Sequence, residues 1–215
     1  MAVPLVAQSQ PLDRSPRVST RHLVGNILVA LTFFAAVLPN AYSFEYGPGK
    51  FVWVAGAVVM GVISLVRFPP RAVNMTGKAF LSTAAALVFP VLVRPTPVSA
   101  GIAASIAPVI VVCGLMLSLV ARLYMGRSFG ILPGNRGIVT GGPFRVVRHP
   151  IYSGWLLLAT GYLLSHWSWI NFLIVSTALP FMLWRILLEE QLLLDDPEYR
   201  EYVQGVHFRL IPGVI

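Results

Sequence analysis

Apolar runs separated by basic loops constrain this chain more than any other feature. Leu23 to Leu38, Phe51 to Val66, Ala79 to Val93, Val98 to Ala121, Tyr152 to Ser165 and Trp169 to Leu188 carry almost no charge. A helical span prefers about 20 apolar residues. The fourth run is the longest; the first three fall a little short, and interfacial flanks or local thinning of the bilayer would accommodate them. Charged residues make up 11% of the chain and apolar ones 56%, whereas soluble domains carry about a quarter charged residues. A water-soluble globule is not expected. The expected fold class is an all-α integral membrane protein of about six transmembrane helices.

The net charge of +8 would suit nucleic acid if the basic residues formed one patch with interleaved aromatics. They lie between the apolar runs instead, which is the positive-inside pattern, so no nucleic-acid partner is expected. With a cytosolic N-terminus and six spans, 13 of the 16 Lys and Arg fall inside. Making the third run, which contains Pro90, re-entrant would send Arg122, Arg127, Arg136, Arg145 and Arg148 to the far side, against that rule. Residues 1–21 read as a flexible cytosolic tail bearing Arg14, Arg17 and Arg21, and 22–121 as a four-helix transmembrane region. No small-residue cleavage site follows the first run, so a signal anchor is expected. Runs five and six, with His166-Trp167-Ser168 between them, predict a tight helical hairpin with interfacial tryptophans. An acidic, amphipathic tail follows from Gln191 and reads as a cytosolic helix. Cys113 is alone, which excludes an internal disulfide and any multi-cysteine metal site; it is expected in the core. His22, His166 and His207 show no metal-ligand spacing, and no metal is expected.

Chemistry concentrates in two stretches. Gly141 to Gly154 reads GGPFRVVRHPIYSG. Pro150 steers His149 away from helical geometry and suits the first turn of the next helix. Arg145 and Arg148 beside that helix start would favour a carboxylate or phosphate, or simply mark the membrane interface. Arg185 and Glu189 are four apart and share a helix face, while Glu190 points to another sector. Ionisable groups at the end of an apolar run are functional candidates by default. The acidic tail Asp195 to Tyr202 is either a solvated helix or a lid. Dinucleotide, nucleophile-elbow and P-loop patterns are absent, so any cofactor must bind the membrane scaffold.

These motifs together resemble a known family. GPFRVVRHPIYSG, the hairpin, RxxxEE at Arg185 to Glu190, the DPEYREY segment and an R-x-x-P ending at Arg209 and Pro212 look like the integral-membrane isoprenylcysteine carboxyl methyltransferase and phospholipid methyltransferase superfamily. The resemblance covers about the last 95 residues and implies a methyltransferase-like catalytic region at 122–215. It implies S-adenosylmethionine as cofactor, contacted by Arg148, His149, Pro150, Tyr152, Glu190, Glu198, Tyr199 and Tyr202. Arg185 and Glu189 would be catalytic, with Arg185 holding an acceptor carboxylate and Glu190 meeting the cofactor's ammonium or ribose. The acceptor would be lipophilic or small: a prenylcysteine-like carboxylate, a lipid amine or a thiol, reached from the bilayer. Met116, Leu119, Trp155 and Leu183 are candidates for lining its tunnel. A bacterial inner membrane, with the site facing the cytosol, is the expected location. The ending Phe208 to Gly213 also resembles the NADPH-dependent sterol reductases, which supplies an alternative. A non-enzymatic membrane scaffold is a second one.

Overall fold

The computed structural model describes residues 23–31, 34, 49–94, 96–97 and 101–214. The expected tail at 1–21, the end of the first apolar run and the loop after it lie outside the described residues. Among the described residues seven α-helices are seen: α1 (residues 23–31), α2 (Gly49–Leu65), α3 (Gly77–Leu92), α4 (Ile102–Met125), α5 (Pro150–Ser165), α6 (Trp169–Leu193) and α7 (Pro197–Gly205). Local chemistry fixes several starts. Thr76, Ser168 and Asp196 cap α3, α6 and α7 with side-chain oxygens, and Pro150 and Pro197 occupy first-turn positions. Two short strands, β1 (Ala72–Val73) and β2 (Gly134–Asn135), pair antiparallel and join the α2–α3 loop to the α4–α5 loop.

Consecutive membrane helices alternate in direction. At the basic end, Arg67 just past α2 donates to Asn26 Oδ1 in α1 (3.2 and 2.9 Å). At the opposite end, Asn171 in the first turn of α6 donates to the carbonyls of Arg94 and His166, both at 2.9 Å. Among the described residues, Ser105–Ser128 and Trp169–Leu193 are long and apolar enough to cross a membrane. Val54–Leu65 and Gly77–Val88 are shorter apolar helices, and α5 has 16 residues, about 24 Å at 1.5 Å per residue. The expectation of six spans is thus met at full length by two of these helices.

Polarity runs inside out. Leu173 (61% exposed), Val109 (60%) and Ile170 (53%) face outward, while Ser64, Ser82, Ser118 and Asn171 are buried. Such a surface matches hydrocarbon and not water. The buried hydroxyls return their hydrogen bonds to the helices: Ser64 Oγ donates to Met60 O (2.7 Å) and Thr83 Oγ1 to Ala79 O (2.7 Å). Cys113, expected in the core, is exposed on α4, because the buried face of that helix belongs to smaller residues.

That face is the main seam of the bundle. Gly114 and Ser118 of α4 meet Gly154 and Leu158 of α5, and Val111 and Ala107 meet Gly161. A Cβ on Gly114 would stand 2.6 Å from Gly154 O, so glycine is what lets the backbones approach. Ser118 Oγ then donates to Ile151 O (3.2 Å) across the seam. The hairpin expectation is modified accordingly: α5 and α6 follow one another through a three-residue turn, but α5 packs chiefly on α4 and α6 on α3. The stripe of small residues on α4 attracts α5 more closely than α6 can. Leu210 of the tail, with Met182 and Ile186 of α6, forms a small apolar cluster that Tyr152, Trp155 and Leu156 of α5 cover at the basic end. Gly114→Val is expected to cost about 1–3 kcal/mol, read as a lower melting temperature of the detergent-purified protein. Cys113→Val, one residue away on the exposed side, should leave it unchanged.

Candidate active site

The chain reaches the site through a turn that only glycine adopts easily. Gly142 has φ +57° and a side chain there would run into the Tyr124 ring. One turn of 3-10 helix, Gly142–Arg145, follows, leaving Arg145 exposed and turning Arg148 inward. His149 has φ −127°, ψ 62° and precedes Pro150 at the start of α5, as proline's steric demand on its neighbour requires. The mouth of α5 is not an open anion site. Arg148 N and His149 N donate to Phe208 O and Arg209 O (2.8 and 2.9 Å), and Ser153 Oγ donates to Leu210 O (2.6 Å). The C-terminal segment therefore covers it.

Two carboxylates on α6 serve two networks, because adjacent residues on a helix point about 100° apart. Glu189 Oε1 accepts from Tyr152 OH (2.9 Å) and pairs with Arg185 Nη2 (3.2 Å). Arg185 Nε donates to Tyr152 OH (2.7 Å), Nη1 to Thr83 Oγ1 (2.5 Å) and Nη2 to Ile131 O. Every nitrogen of that guanidinium has a protein partner. Glu190 gathers the second network: Oε1 forms an ion pair with Arg148 Nη1 (3.0 Å) and accepts from Tyr199 OH (3.4 Å), and Oε2 accepts from Arg209 Nε (2.7 Å). His149 stands between them, Nε2 3.3 Å from Glu190 Oε1 and Nδ1 3.9 Å from Glu189 Oε2.

The networks wall a cavity of about 290 Å³, at the small end of ligand sites. Of the ten residues singled out from sequence, eight line it: Arg148, His149, Pro150, Tyr152, Arg185, Glu189, Tyr199 and Tyr202. Glu190 does not; it is buried behind the wall with both oxygens engaged. Glu198 is exposed and outside the lining. The i, i+3 spacing of Tyr199 and Tyr202 puts both rings on the inner face of α7, and Glu198 falls on the outer one. Met116, Leu119, Trp155 and Leu183 are also absent from the lining; Met116 and Leu183 face outward instead. Arg122 lines the cavity although the sequence marked it only as the end of a run. Its spacing was a usable signal, since 114, 118 and 122 fall at four-residue intervals on the buried face of α4.

Tyr202 OH donates to Phe144 O (2.5 Å) and the two tyrosine rings lie 5.7 Å apart. Burial pushes the Tyr202 phenol up to about 12, with Arg148 pulling the other way. It also raises that of Tyr199. Both stay protonated donors at neutral pH. At its start α7 is latched by Asp196, which accepts from Asn135 Nδ2 (2.7 Å) and pairs with Arg71 (3.4 Å).

The comparisons with known proteins fall on the same region. A family model described as phospholipid methyltransferase matches residues 98–196. Over that segment the chain is similar to the phospholipid methyltransferases, members of the superfamily that includes the isoprenylcysteine carboxyl methyltransferases, and the family implies a membrane methyltransferase. The match takes in α4, α5, α6 and the lining they carry, and ends at Asp196, before Tyr199, Tyr202 and Arg209. No curated protein matches the chain.

The hydrogen bond from Asn135, then those of the Glu198 amide and Arg71, holds the Asp196 carboxyl below its usual range. A depressed acid stabilises the fold above its unfolded value, about 3.9, and loses that contribution as pH falls through the folded one. Hydrogen-exchange protection of α7 should therefore stay level from pH 7 to about 4 and drop below it. Asp196→Ala, which removes cap and latch, should lower α7 protection by about 1–2 kcal/mol at neutral pH.

Proposed function

We propose that the chain is an S-adenosylmethionine-dependent methyltransferase acting on a lipophilic acceptor at the cytosolic face of the membrane. The observation that carries this reading is the convergence of eight motif residues, from two helices, a loop and the tail, on one cavity. The residues suit the cofactor. Phe144, Tyr199 and Tyr202 offer aromatic surface for an adenine, and Arg148 has a buried Nε without a hydrogen-bond partner, suited to a carboxylate. Glu189 Oε2, 3.9 Å from His149 and beyond hydrogen-bond distance, suits an ammonium.

S-adenosylmethionine supplies a methyl group on a sulfonium, an electrophile that needs no further activation. The protein's part is then to align the two ligands and exclude water. Tyr199 and Tyr202 close the tail side of the cavity. Arg185 acts through Tyr152 and Glu189: it fixes both side chains in place, with its nitrogens already committed. Glu190 is a positioning residue that ties Arg148 and His149 to the tail.

Calorimetry on the detergent-purified protein, with S-adenosylhomocysteine and NADPH in parallel, tests this. Saturable binding of the first and none of the second is expected; the reverse would promote the reductase alternative, and silence from both the scaffold. Tyr202→Phe, which removes the bond to Phe144 O, should weaken S-adenosylhomocysteine about fivefold, for about 1 kcal/mol. Arg185→Ala should reduce methyl transfer on the order of 100-fold through lost alignment. Arg185→Lys should not restore it, since an ammonium cannot reproduce a planar fork. Full activity in either Arg185 variant would end that assignment.

A further inference from the structure

Six carboxylates fall within the described residues: Glu189, Glu190, Asp195, Asp196, Glu198 and Glu201. Glu189 pairs with Arg185, Glu190 with Arg148 and Arg209, and Asp196 with Arg71. The other three are exposed on or beside α7. None of the six meets Arg122. That arginine lines the cavity one turn before α4 ends at Met125, and among the described residues its guanidinium has neither an ion pair nor a hydrogen bond.

An arginine at a helix end ordinarily snorkels to the interface. Arg122 follows the buried Gly114 and Ser118 along α4 and is itself half-buried, so its helix face turns it inward. It lies within electrostatic reach of Tyr152, whose hydroxyl bonds Arg185, which in turn donates to Thr83 of α3. This side of the cavity is the α3 side, shared with Ala86 and Leu87. Leu87 lines the cavity and is 49% exposed, so the α3 side is where an apolar acceptor has room to enter. Arg148, with Tyr199 and Tyr202, occupies the tail side.

A cation without a counterion at this depth is unfavourable, and an anionic ligand group is its natural complement. The sulfonium donor does not supply it: its one carboxylate is offset by its own ammonium, and Arg148 is the arginine on the tail side. We propose that Arg122 binds an anionic group, a phosphate or a carboxylate, on a lipophilic acceptor that enters between α3 and α4. This rests on the methyltransferase reading above and moves the anion-holding role from Arg185, whose nitrogens are taken, to Arg122.

The test is calorimetry on the full chain in a neutral detergent, titrated with hexyl phosphate, hexanoate and hexylamine, with S-adenosylhomocysteine in a separate arm. At least one anion should bind saturably and the amine should not, and the preferred anion identifies the head group. Arg122→Gln should weaken anion binding at least tenfold while leaving the melting temperature and S-adenosylhomocysteine affinity unchanged. If that variant fails to fold, Arg122→Lys, which keeps the charge and loses the fork, should bind the anion severalfold more weakly. Equal anion affinity in the variant and the original chain overturns the proposal, as does the absence of anion binding in the original chain. Loss of S-adenosylhomocysteine affinity with anion affinity kept also overturns it, and assigns Arg122 to the donor. Arg122-dependent anion binding in a protein that does not bind S-adenosylhomocysteine would sink the methyltransferase reading and uphold the anion site.

Discussion

One buried carboxylate holds the basic end of this bundle together. Glu190 sits on α6 with two arginines, a histidine and a tyrosine converging on it from the α4–α5 loop, α7 and the C-terminal segment. A carboxylate in such a place is tolerated because its oxygens are matched by cationic donors; removing one partner would strand a buried charge. The same contacts fix where the tail can lie. Arg209 cannot reach Glu190 unless Phe208 and Arg209 run beside Arg148 and His149, where their carbonyls accept those two amides. The roof of the cavity thus follows from the satisfaction of one charge.

Beneath that roof the bundle obeys the solvent it is built for. With apolar side chains outside, close association depends on small residues and on hydroxyls returned to the backbone. The Gly114–Gly154 approach draws α5 onto α4, while α6 settles against α3. The gap that this division leaves at the basic end is lined by Arg122, Tyr152, Arg185 and Glu189. Polar chemistry gathers where the helices cannot close.

Much of this was legible in the chain. The apolar runs located the helices, proline and capping residues located several starts, and i, i+4 spacing paired Arg185 with Glu189 and sent Glu190 elsewhere. Less legible were the roles. Arg185 reads from sequence as a hand for an acceptor carboxylate, yet Tyr152, Thr83 and Ile131 take its nitrogens, and two of these come from outside the motif. Glu198 belongs to the same tail motif as Tyr199 and Tyr202, but a helix of nine residues shows one face inward and the other to water. Arg122 looked like an interface residue because a basic residue after a long apolar run is the commonest topological mark.

The sequence by itself determined the solvent, the helices and the types of residue available for chemistry, because hydropathy, spacing and proline act within a few residues of one another. Tertiary structure alone decided which charges are used up in holding the fold and which remain for a ligand. That depends on partners distant in sequence, Thr83 with Arg185, Glu190 with Arg209 and Asn135 with Asp196. A charge is spent or spare according to what packs beside it, and only the closed bundle brings those neighbours together.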